Sequence, residues 1–222
     1  MDLWLQLIIF ALISLLFFAW YLGVFQSVKI SEDTFHGGTF IYKDWQGHIK
    51  NVGVHFGDTM KDLNDFKKNE VRKFNLPMMA IYYDQPNNLK DSNKCRASVG
   101  MLLQFKSEKI PKFFQDRGYK IQKLPTVQAL HGQFPCYIRL SCFIGALKFY
   151  TAVWRFTHAN SAQYGQSMQK SKGAIELNEG GFIKYYFPIE NQQEFNLTIH
   201  DDPELINPNL NKIQYTEQKK NL

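Results

Sequence analysis

Cysteine is scarce in this chain of 222 residues, with only Cys95, Cys136 and Cys142 and no Cys-x-x-Cys pair. That excludes a disulfide-dense secreted scaffold and the common zinc and thiol-redox spacings, and it suits a reducing compartment. Arginine is rarer than lysine, 5 against 21. The net charge of +6 therefore comes mainly from lysine and not from arginine, whose planar fork reads base edges and phosphates bidentately, so sequence-specific nucleic-acid binding is not expected. The six histidines show no metal-ligand spacing, and no P-loop, Rossmann glycine pattern, Gly-x-Ser-x-Gly elbow or His-Glu-x-x-His occurs. No metal, cofactor or catalytic residue is expected, and an enzyme is the less favoured class. With 45% hydrophobic and 21% charged residues, the chain is too apolar for disorder and suits one domain with an appendage.

Charge is absent from Leu3 to Val28. At about 1.5 Å per residue, that run is long enough for a hydrocarbon core of roughly 30 Å. Fifteen Leu, Ile, Phe or Val residues lie between Leu3 and Phe25, with Trp4 at one end and Trp20 and Tyr21 at the other, as an aromatic belt would have them. A cleaved signal peptide needs a basic start and small residues before the cut, whereas this chain begins Met1-Asp2 and continues Ala19-Trp20-Tyr21. An uncleaved anchor over 1–28 is expected. Asp2 before it and Lys29 after it put the remainder in the cytosol by the positive-inside rule. The sequon Asn196-Leu197-Thr198 would carry sugar only if that orientation were reversed.

Beyond the anchor, residues 29–200 read as an α+β domain and 201–222 as a short tail. Thr39 to Trp45 predicts a strand. Thr59 with Asp62 predicts a capping box that opens a helix through Met60, Leu63 and Phe66, which Pro77 forbids from continuing. Met79 to Tyr83 and Cys95 to Leu103 predict paired strands. Ser107 to Arg117 reads as a short helix stopped by Gly118, followed by strands at Tyr119 to Leu124 and Val127 to His131. Tyr137 to Phe156 predicts a core helix, because its longest uncharged stretch, Leu140 to Leu147, is too short for a second crossing. In or near that helix, Cys136 and Cys142 are expected as inert thiols. Ala174 to Leu177 and Phe182 to Phe187 flank Asn178-Glu179-Gly180-Gly181, a hairpin signal. Strand, helix and two strands thus occur twice, and two similar units leave a cleft between them.

The blocks Ala80-Ile81-Tyr82-Tyr83-Asp84-Gln85-Pro86 and Lys94-Cys95-Arg96-Ala97-Ser98-Val99-Gly100 resemble the signature of gyrase-inhibitor-like domains of the SOUL/effector-binding superfamily. They look most similar to testis-expressed membrane proteins that act as autophagy receptors of the endoplasmic reticulum. Those receptors share the single uncleaved span, a Tyr-Lys strand comparable to Tyr42-Lys43, and closing strands comparable to Ile175-Glu176-Leu177 and Pro188-Ile189. The resemblance implies a duplicated strand-helix-strand-strand fold around a pocket for small aromatic or cationic ligands. It points to Glu176 as the carboxylate and to Tyr82 or Tyr83 as an aromatic wall, since alternation puts only one of the two on that side. Trp154 and Tyr185 are further candidates.

The resembled receptors carry their autophagy motif in a long acidic tail. Here 22 residues follow His200, and their one aromatic, Tyr215, is followed three positions on by Gln218. An interaction or adaptor role with autophagy or coat-protein partners is therefore expected ahead of direct receptor activity. The final Lys219-Lys220-Asn221-Leu222 looks like a dilysine retrieval signal of endoplasmic-reticulum membrane proteins, a receptor-read address. The alternative is a membrane-tethered binding or hydrolytic module using the inter-repeat pocket.

Overall fold

The computed structural model describes residues 3–68, 70, 76–84, 91–164 and 173–197. After an apolar helix α1 (Leu3–Tyr21) come strands β1 (Ser31–Phe35) and β2 (Gly38–Gly47), helix α2 (Val52–Lys68), and strands β3 (Met78–Tyr82) and β4 (Cys95–Leu103). A short helix α3 (Lys109–Gln115) leads to β5 (Lys120–Leu124) and β6 (Val127–Pro135). Helix α4 (Arg139–Ala159) and strands β7 (Ala174–Glu179) and β8 (Phe182–Pro188) follow. The strands form one antiparallel sheet in the order β1-β6-β8-β7-β3-β4-β2-β5.

That order has a geometric consequence. β1 at one end of the sheet passes to β2, seventh in order, through His36 and Gly37 alone, and β5 at the other end passes to β6 through Pro125 and Thr126. Three Cα steps reach about 11 Å, whereas six strand spacings in a flat sheet cover about 29 Å. The sheet must therefore curl until its two ends meet. The two links touch, because a Cβ on Gly37 would collide with the Pro125 carbonyl.

Curling encloses one apolar cluster. Phe40, Met79, Ile81, Leu102 and Ile175 point inward, and Phe195 closes the end against Phe35. The outer face carries the helices: α2 lies on β2 and β4 through Leu63 and Phe66, and α4 lies on β6 and β8 through Phe149 and Val153. β2-α2-β3-β4 and β6-α4-β7-β8 are thus like units, and they join where β3 pairs with β7. This is the α+β architecture of two like strand-helix-strand-strand units expected from the sequence, with an apolar helix ahead of it. The β7–β8 turn has Gly180 at φ 61 and Gly181 at φ 80, the positive values that a type I′ hairpin requires of both central residues.

Two local expectations need correction. α2 begins at Val52, so Thr59 is no cap but a buried residue in its interior. A 3-10 turn over Ile49–Asn51 starts the helix instead, with His48 Nδ1 accepting from the Lys50 amide at 3.2 Å. Packing of Val52 and Phe56 against Trp45 and Ala80 outweighs the roughly 1 kcal/mol that each of Gly53 and Gly57 costs a helix. Cys136 and Cys142 are not separate thiols but a disulfide, with Cα atoms 4.9 Å apart. Cys136 follows β6 and Cys142 sits in the first turn of α4. The bend between them is held by Ser141, whose Oγ accepts from the amides of Tyr137 at 3.0 Å and Ile138 at 3.1 Å.

Substituting Gly37→Ala should lower stability by about 3 kcal/mol or more, since the clash is with backbone. Gly57→Ala, with open space around its Cβ position, should raise it by about 1 kcal/mol. Denaturant titration of the detergent-solubilised chain measures both.

Candidate functional site

Because α2 and α4 each cover their own half, the central pair β3–β7 runs along a groove between them. Register places Ala80 opposite Glu176 and Tyr82 opposite Ala174, and it places Glu176 opposite Tyr185 of β8. Side chains two apart share a face, so Tyr82, Glu176 and Tyr185 all point to the helix side. Ala80 is the small neighbour that leaves the carboxylate room.

Glu176 is half-buried in this groove. Asn178 Nδ2 donates to its Oε1 at 3.2 Å, and the Tyr82 hydroxyl also hydrogen-bonds the carboxylate. Burial raises its pKa above the ordinary glutamate value, and these two hydrogen bonds pull the other way. No cationic side chain among the described residues enters that balance. The carboxylate in turn joins burial in raising the pKa of three phenols, Tyr82, Tyr150 and Tyr185. Tyr185 is fixed by stacking on Phe149 at 4.6 Å and by donating to the Cys142 carbonyl at 3.3 Å. Tyr150 of α4 keeps part of its ring at the surface, 37% exposed, while its hydroxyl end lies buried near Glu176. Beside them is a cavity of about 20 Å³, lined among others by Tyr82, Tyr150, Ala174 and Phe187, room for about one water molecule.

The other sequence candidates lie elsewhere. Tyr83, one residue past Tyr82, turns to the inner side of the sheet, where its hydroxyl meets Ser98 Oγ at 2.8 Å and it packs on the inner cluster. It also lines the small cavity. Trp154 is not a wall: Phe149 and Val153 take the sheet-facing side of α4, which leaves Trp154 59% exposed and against His158 at 4.2 Å. Sequence reasoning missed Tyr150 and Asn178. Asn178 shares the strand face of Glu176 by alternation, whereas Tyr150 stands at the margin of the helix stripe, where periodicity alone gives no direction.

The Tyr-Tyr-Asp and Lys-Cys-Arg blocks form a clamp. Arg96 donates through Nε to Asp84 Oδ2 and through Nη2 to Oδ1, both at 2.8 Å, and its amide adds a third bond at 2.9 Å. The side chains are only 17% and 10% exposed, and this forked geometry is the strongest form of the pair. It ties the two ends of the β3–β4 connection beside Tyr82. Cys95 is buried, and desolvation with the nearby Asp84 charge pushes its thiol up to about 12, so it is not an activated nucleophile. Gln85 and Pro86 lie outside the described residues.

In fold the chain is similar to a hydrolase from Listeria innocua, at 12% identity and TM-score 0.46 over 72% of this chain and 91% of that one. It is also similar to the EcmrR C-terminal domain, at 11% and 0.46 over 72% and 96%. A third likeness is to SAV2435 bound to tetraphenylphosphonium, at 9% and 0.46 over 79% and 99%. These likenesses concern fold alone. No protein-family model matches the chain, and no curated protein matches it. The narrower resemblance to autophagy receptors finds no support in these comparisons.

Because the folded state holds the Glu176 proton more tightly than the unfolded chain does, its contribution is fully present below the ordinary glutamate pKa of about 4.3. It is lost as pH rises through the raised folded-state value. Glu176→Gln should therefore be more stable than the parent at neutral pH, and the two should converge in acid. Thermal midpoints across that range check this, and parallel curves would mean a solvated carboxylate.

Proposed function

We propose that this chain is a membrane-tethered ligand-binding module, in which α1 crosses a bilayer and the groove at Glu176 receives a small cationic, aromatic molecule. The observation that carries the reading is the half-buried carboxylate itself. Glu176 is desolvated among Tyr82, Tyr150 and Tyr185 with two neutral hydrogen-bond donors and no cationic partner among the described residues. Such a group is costly to bury unless a partner offsets the loss of water. A ligand cation would supply that partner, and the rings would stack on its flat faces. α1 supports the tether: it is 19 residues long, without charge, and exposed along its whole length. In the resting state the protein's own side chains fill the groove, so binding requires Tyr150 to move outward from its half-exposed position.

That filling favours a second reading, an adaptor of the endoplasmic-reticulum membrane related to the autophagy receptors, for which the groove needs no occupant. On this reading the domain faces the cytosol, as Asp2 and Lys29 predict, and Lys219 and Lys220 act in retrieval. Both of these lysines and Asp2 lie outside the described residues. A cytosolic placement would leave the Cys136–Cys142 bridge open to reduction by glutathione.

Tetraphenylphosphonium is a suitable probe. Titration calorimetry of the full chain in lipid nanodiscs should show saturable binding, and Glu176→Gln should weaken it by about tenfold or more, equivalent to about 1.4 kcal/mol. No saturable heat, or equal affinity in the variant, would turn the choice to the adaptor. Thiol alkylation in intact cells should modify Cys136 and Cys142 without added reductant, and protection of both would place the domain on an oxidising side.

A further inference from the structure

The duplicated unit supplies its own comparison. α2 and α4 lie on like places in the two halves, yet their outer faces differ. α2 turns outward Val54 and then Asp58, Lys61, Asp65 and Lys68, these four joined as ion pairs at 3.0 and 2.8 Å. α4 turns outward Leu140, Phe143, Leu147, Tyr150 and Trp154. Their spacing of three and four residues sets them in one stripe along the helix. Phe143 is 61% exposed, while Phe149 and Val153 on the opposite side are buried against the sheet. A helix apolar on both sides is ordinarily covered on both. Here one side is left open. Arg139–Ala159 also contains no Asp or Glu, and Arg155 is exposed beside the stripe.

The position of α1 indicates what covers it. Tyr21, the last residue of α1, stacks on Tyr137 at 5.3 Å, just ahead of α4. Leu22 is buried, and Gly23 lies against the ring of Phe134. Lys148, midway along α4, donates to the carbonyls of Gly23 at 3.3 Å and of Val24 and Gln26 at 2.5 Å. From Arg139 to Lys148, about 14 Å of helix, α4 thus runs beside the point where α1 ends.

We propose that the outer stripe of α4 rests in the interfacial layer of the bilayer that α1 crosses. This rests on the reading of α1 as a span. Interfacial helices bury their apolar face about 5–10 Å into the boundary between headgroups and acyl chains, and Trp154 is of a residue type enriched at that level. Arg155 and the absence of carboxylates suit anionic headgroups. Continuity with α1 favours lipid over a second copy of the chain or residues 198–222.

The test uses the unmodified full chain in phosphatidylcholine vesicles containing a phospholipid with a diazirine high on one acyl chain, irradiated and mapped by mass spectrometry. Adducts are expected on α1 and on Phe143, Leu147 and Trp154, with the outer face of α2 unlabelled. Combining Phe143→Glu with Leu147→Glu, both at exposed positions, should cut α4 adducts by about tenfold and leave those on α1 unchanged, since a charge is costly at that depth. Adducts on α1 alone would overturn the proposal and keep the span. An unlabelled α1 would remove the span and the proposal with it. Photo-crosslinks from α4 to a second copy, or to residues 198–222, in place of lipid adducts would overturn it in favour of that occupant.

Discussion

Two connections of two residues each, His36-Gly37 and Pro125-Thr126, constrain everything else in the domain. They tie opposite ends of an eight-stranded sheet together, and the sheet can satisfy them only by closing on itself. Closure fills the inside with side chains and leaves the outside as the one place for helices. It also puts the seam between the two units, β3 against β7, at the middle of that outside face. The groove and its carboxylate are where they are because neither α2 nor α4 covers the seam.

Much of the local structure was legible in the sequence. Alternation and turn residues placed most strands within a residue or two, and the glycines at 180 and 181 marked the hairpin, but β1 went unread and β6 runs four residues past His131, to Pro135. The pairing of Met79–Tyr83 with the segment from Cys95 was readable because the two are neighbours along the chain. The β3–β7 seam was not, since Ala80 and Glu176 lie almost a hundred positions apart and nothing local couples them. Thr59 misled for a related reason: a capping box is a local signal, and the earlier start at Val52 is held by tertiary packing that outweighs the helix cost of Gly53 and Gly57.

The site divides in the same way. Glu176 and Tyr82 fall on one face by strand alternation once the pairing of β3 with β7 is known. Trp154 and Tyr150 are four residues apart on α4, and which of the two has a buried hydroxyl or ring depends on how that helix is rotated against β6 and β8. Composition carries no information on that angle. The motif that made the resemblance visible, Tyr-Tyr-Asp with Lys-Cys-Arg, contributes mainly a clamp, Asp84 with Arg96. A conspicuous motif can therefore mark the scaffold of a site and not its chemistry.

The junction at Lys148 has a bearing on reach. No flexible stalk separates α1 from the domain: Leu22 and Gly23 are already buried against it, and Val28 belongs to the cluster beneath α4. With α1 in a bilayer, a domain of this size extends only about 40 Å from the lipid and has little freedom to swing. It would sample molecules that travel along or dissolve in the membrane far more often than those in bulk solution. A tilt of α4 at the groove would be passed to α1 as torque, through the same lysine that caps its end.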